Sequence, residues 1–115
     1  MQMIVHAKER NQDHLDLMHS MLEHYIDAVE IQAKRRADQP MSLTEIRTVN
    51  ELLSELRTFF SGSEAEEYLK PAEEPENGQA GTTYGEMVLL LVAYRCTIFS
   101  FNMGHLWYKK TEDDD

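Results

Sequence analysis

Apolar residues recur at helical spacing through the first third of the chain. From Leu15 they fall at 15, 18, 22, 25, 26 and 29. Leu15, Met18, Leu22, Tyr25 and Val29 alternate steps of three and four, which keeps them on one helix face. Asp13, Asp16, Glu23, Asp27 and Glu30 take the opposite face. The pattern predicts one long helix over residues 3–37. The basic run Lys34, Arg35, Arg36 suits the negative C-terminal end of that helix, and Pro40 cannot continue it.

A second helix is predicted over 42–61. Ser42 and Glu45 stand three apart, the spacing of a capping box in which each side chain meets the other's backbone N–H. Ile46, Val49, Leu53, Leu56 and Phe60 then repeat at steps of three and four, and Gly62 is a stop signal. Two amphipathic helices joined by a short Pro-containing turn read as an antiparallel helical hairpin. "SEAEEYLK" adds a short turn of helix capped by Ser63. "PAEEPENGQAGTT" breaks all periodicity, and residues 70–83 are expected to form an exposed, mobile acidic loop.

The least polar stretch follows. Thr83 and Glu86 repeat the capping-box spacing and open a third helix predicted over 83–109. Tyr84, Met87, Leu91, Tyr94, Ile98, Phe101 and His105 share one broad face, whereas Val88, Leu90, Val92 and Phe99 lie largely off it. "TIFSFN" alternates as a strand would, but no other segment offers a strand partner. The apolar run Met87–Phe101 is shorter than the ~20 residues of a membrane span and carries Arg95, so a soluble helix is expected. A helix apolar all round is a central bundle element or part of an assembly. The expected fold is therefore all-α: one small helical bundle, a helical hairpin plus a long apolar C-terminal helix. Val88, Leu91, Tyr94, Ile98, Phe101 and Trp107 are expected to meet another protein chain or a second copy of this one.

Charge narrows the partners. The chain has 115 residues, one domain by size, and a formal net charge of −10. Bulk electrostatic binding to nucleic acid or anionic lipid runs against that charge. A single cysteine, Cys96, allows no internal disulfide and fits a reducing cytoplasm. The first fifteen residues lack the apolar core of a signal peptide.

Candidate chemistry is sparse. No Gly-rich phosphate loop, GxSxG, HExxH or CxxC occurs, and the acids are surface or loop residues, so no enzymatic activity and no cofactor are expected. Asp16, His19 and Glu23 share a helix face, half of a carboxylate–histidine metal site. No matching half occurs in residues 42–60 or near His105, and the cluster reads as a solvated face. Cys96, inside the apolar stretch, reads as an inert thiol. The crowded acids from Glu64 to Glu76 could imitate nucleic-acid phosphates, but partly from a loop. The leading expectation is a small acidic adaptor or inhibitor that binds another protein and self-associates.

Residues 15–60 resemble the N-terminal region of phage small terminase subunits. Leu22, Tyr25, Val29 and Glu30 match the first helix of that pattern, and Ser42, Ile46, Val49 and Leu53 the second. The resemblance implies a phage-encoded, ring-forming, non-enzymatic DNA-recognition subunit of a packaging motor. Lys34, Arg35, Arg36 and Arg47 would then face DNA, and the apolar third helix would form the ring contact.

Overall fold

A computed structural model describes residues 11–108, and among them the chain forms three α-helices and no β-strand beyond isolated bridges. Helix α1 spans Gln12–Arg36, α2 Leu43–Phe59 and α3 Tyr84–Asn102, with a single 3-10 turn at Glu64–Glu67. The all-α class and the helical reading of the apolar stretch both hold. The expected start of α1 at residue 3 lies outside the described residues.

Both expected capping boxes form. Ser42 Oγ accepts from Glu45 N–H at 3.1 Å while Glu45 Oε1 accepts from Ser42 N–H at 2.9 Å. Thr83 and Glu86 repeat the pair at 3.1 and 2.9 Å. On α1, Asn11 Oδ1 accepts from His14 N–H at 3.1 Å, an N-cap that acts alone.

Four contacts between elements fix the helix directions. Gln12 bonds Asn102 and Gly85 N–H bonds Ala37 C=O, so α1 and α3 run antiparallel. Tyr84 bonds Glu45 and the Phe59 ring meets Phe101 edge to face, so α2 and α3 run parallel. The closest backbone packing is α1 on α3 rather than within the α1–α2 hairpin. Helix α2 stands off from α3, and aromatic rings fill the wider gap: Phe59, Phe60, Phe101 and Tyr108 meet edge to face at 5.1–6.4 Å. Such contacts add to the area these rings bury.

Parallel α2 and α3 oblige residues 60–83 to travel back along the bundle. The expected acidic loop, 70–83, is the second half of that path, exposed along most of its length and anchored at two points. Ala65, Leu69 and Ala72 are buried along the way. Asn50 of α2 grips Ala72 at both backbone groups, donating to its C=O at 2.9 Å and accepting from its N–H at 2.8 Å. Thr82 does the same to Glu73, at 3.0 and 2.8 Å. Between these anchors the chain reverses in a two-residue turn at Asn77–Gly78, with φ values of 50° and 80°. Gly81 passes so close that a Cβ there would lie 2.6 Å from Glu73 O. The acids remain outside: Glu73, Glu74 and Glu76 are exposed.

The core follows the expected spacings with one exchange. Leu15, Met18, Leu22, Ile26 and Val29 of α1 are buried, so Ile26 replaces Tyr25, which is half-buried. Ile46, Val49, Leu53, Leu56 and Phe60 are all buried, joined by Leu52. Helix α3 stops seven residues short of the expected end. Gly104, at φ 73°, donates to Phe101 O at 3.0 Å and His105 N–H donates to Ser100 O at 2.8 Å. These are the paired bonds of a left-handed helix stop, which glycine adopts without steric cost. Beyond it the tail folds back: Glu64 N–H donates to Trp107 O at 2.8 Å, and Tyr108 is buried against Phe101.

Candidate interaction surface

The six residues expected at an interface divide. Leu91, Tyr94 and Ile98 are completely buried in this chain's own core, and Phe101 nearly so. They cannot serve a second chain without opening the bundle, because the face with the best helical spacing is the one α1 and α2 cover. Val88 is half-buried at the edge of that core. Trp107 is exposed, on the folded-back tail rather than on a helix.

Helix α3 nevertheless has a second apolar face. Leu89, Val92, Cys96, Phe99 and Met103 advance by 3, 4, 3 and 4 residues, the spacing of a helix–helix seam. Leu89 is 73% exposed, Phe99 64% and Met103 55%. Cys96, inside the apolar stretch of the sequence, is exposed in the middle of the stripe. None of the five is charged. Gly85, one further step back, is closed over by Ala37, whose Cβ lies 3.2 Å from where a side chain would begin. The signal was in the sequence: Val92 and Phe99 fall off the core face, and extending their spacing finds Leu89, Cys96 and Met103.

Charged groups line one border of the stripe. Glu23 Oε1, closed off from water, lies 3.6 Å from Arg95 Nη1 and 3.9 Å from His19 Nε2. Asp16 accepts from Gln12 at 2.9 Å. Asp16, His19 and Glu23 are thus engaged along the α1–α3 groove, and no three potential metal ligands converge among the described residues. On the other border, Tyr68 and Leu106 flank a shallow hollow beside Cys96.

The basic residues do not gather into one face. The Arg36 guanidinium lies 5.2 Å over the Tyr84 ring and donates twice to Gln32. Arg47 reaches across to Glu74 at 3.3 Å. Lys34 and Arg35 are exposed at the end of α1. Two of the four expected DNA-facing residues are therefore held by the chain itself.

The perturbed acids and phenols are structural. The Ser42 backbone N–H, with help from the Ser42 and Tyr84 hydroxyls, holds Glu45 below the usual carboxylate range. Burial pushes Tyr84 and Tyr94 above the usual phenol range. Tyr94 O–H donates to Lys70 O at 2.8 Å and accepts from Arg57 at 3.1 Å, tying α3 to α2 and to the crossover. None of these groups lines an enclosed cleft. By length and composition α3 is long and apolar enough to cross a membrane, and here its inner face is bundle core.

No family model, curated protein or solved structure matches this chain.

Proposed function

We propose that this chain is a non-enzymatic interaction protein that docks another protein chain through the outward face of α3. The observation that carries this reading is the uncharged stripe Leu89, Val92, Cys96, Phe99 and Met103 on a helix whose opposite face already fills the core. Its spacing suits an incoming helix. Contiguous exposed apolar surface of this kind marks interaction sites, and the fold does not require it. The acidic remainder of the surface keeps the chain soluble and works against nucleic acid and anionic lipid.

The test compares wild type with Phe99→Asp and Lys34→Glu, each immobilised and exposed to extract from the cells that make the protein. A protein held by wild type and Lys34→Glu but lost on Phe99→Asp is the expected result. Identical retention by all three, with unchanged helical circular dichroism, ends the reading. Duplex DNA binding that is lost on Arg35→Glu and falls steeply with salt would favour a terminase-like DNA-recognition subunit instead.

A further inference from the structure

Resting on the docking role of the outward α3 face, we propose that its occupant is a second copy of this chain, packed α3 against α3 in antiparallel register. With the two-fold axis level with Tyr94, Leu89 meets Phe99 of the other copy, and Val92 meets Cys96. Met103 of one copy lies level with Gly85 of the other, at the end of the stripe that Ala37 closes.

Three observations select a copy of the same chain, in this orientation. The first is self-complementarity. A two-fold interface needs one patch that matches itself reversed. Here the two large–large pairs, Leu89 with Phe99, stand at equal distances from the centre, and the smaller Val92 and Cys96 occupy it. A parallel pair would stack Phe99 on Phe99 at one end and splay the helices there. The second is area. The exposed parts of Leu89, Phe99 and Met103 present on the order of 400 Å² of apolar side chain, half of the ~800 Å² that each partner buries in a standard interface. Val88, Val92, Ala93, Cys96 and the borders extend it.

The third is charge. Helix α3 carries only Glu86 and Arg95. Antiparallel packing sends the two Glu86 side chains to opposite ends and opposes the helix dipoles favourably. Arg95 flanks the centre, and Glu23, 3.6 Å away in each copy, brings it there as part of a neutral pair. The rest of each chain is acidic, so two copies repel at long range. Salt screens that repulsion and leaves the apolar seam intact. Self-association should therefore tighten as salt rises, the reverse of binding to a basic partner.

The experiment combines light scattering with a disulfide-register test. Wild type should weigh twice the chain mass. Phe99→Asp should raise the dimer dissociation constant about a hundredfold or more, as loss of a large aromatic anchor does, without loss of helical signal. Two single-cysteine chains, Leu89→Cys with Cys96→Ser and Phe99→Cys with Cys96→Ser, are then mixed under mild oxidation. A mixed 89–99 disulfide in preference to like-with-like pairs is expected. Like-with-like pairing would overturn the antiparallel register. A wild-type chain that stays monomeric at hundreds of micromolar would overturn the self-pairing altogether. In that case, a captured protein still lost on Phe99→Asp would leave the docking role standing with a different occupant, and no such protein would end both. Monomeric chain that co-sediments with phosphatidylcholine vesicles, but not after Phe99→Asp, would assign the face to a lipid surface and overturn the proposal.

Discussion

Helices α2 and α3 are close in length, 17 and 19 residues, and both open in a complete capping box. Their outward faces differ. On α2 the residues away from the core are Arg47, Thr48, Glu51, Ser54, Glu55 and Thr58, and all are exposed. On α3 the corresponding positions are Leu89, Val92, Cys96 and Phe99. The bundle needs one apolar face from each helix and receives one from each. What α3 carries beyond that does not hold the monomer together, and it costs solubility. Under the docking role proposed above, a partner accounts for it.

The sharpest way to break this comparison is to truncate the two faces of α3 separately. Leu91→Ala, in the core, should cost about 3 kcal/mol of unfolding free energy, from lost burial and the cavity left behind. Phe99→Ala should change the stability of the dilute monomer by less than about 0.5 kcal/mol, as surface substitutions do. Urea denaturation at low protein concentration measures both. Similar losses would mean that Phe99 belongs to the core and that no spare face exists.

The next test asks how far α2 depends on its polar side. Asn50→Ala removes both hydrogen bonds to Ala72 and should cost about 2 kcal/mol. Amide exchange should speed up at residues 72–82, where Thr82 and Glu73 hold the other anchor, while α1 and α3 keep their protection. Uniform acceleration through the whole chain would show that the crossover and the bundle unfold together. Smaller still are the caps. Ser42→Ala and Thr83→Ala should each cost about 1 kcal/mol, because the two boxes have matching geometry. Thermal denaturation of the pair would reveal any inequality between the helices.

The smallest effect concerns Glu45, which joins α2 to α3 through the Tyr84 hydroxyl at 3.0 Å. Its folded value lies below its unfolded one, with the Ser42 backbone N–H the leading cause. The stability it supplies is therefore complete above the unfolded carboxylate value of about 4.3 and is lost as pH falls through the folded value. The stability difference between wild type and Glu45→Gln should shrink between pH 7 and pH 3. A constant difference across that range would mean that ionised Glu45 gains nothing from its Ser42 and Tyr84 contacts.

Local features were legible in the sequence, and those that depend on distant partners were not. Ser42 with Glu45, and Thr83 with Glu86, form contacts within four residues, so their spacing sufficed. The core residues of α2 were legible because one apolar face excludes every other choice. On α3, two apolar faces compete, and sequence periodicity alone does not say which turns inward. Leu91, Tyr94, Ile98 and Phe101 were therefore placed in an interface although they form the core. The anchors of the crossover could not be read because they are remote: Ala72 is held by a residue 22 positions earlier. The early end of α3 had a signal in Gly104, outweighed by the apolar residues beyond it.

The antiparallel pairing of α1 with α3 has a consequence for how the chain is made. Gln12 finds Asn102 across 90 residues, and the closest helix packing in the molecule joins the most widely separated helices. Contacts so distant along the chain slow folding, since loop closure must precede their reward. During synthesis, Leu15, Met18, Leu22 and Ile26 emerge from the ribosome long before Leu91 and Ile98 exist to cover them. The nascent chain thus carries an open apolar groove through most of its translation, the condition in which aggregation competes with folding. A ribosome stalled within the crossover should display a hairpin that chaperones bind, and release of α3 should end that binding.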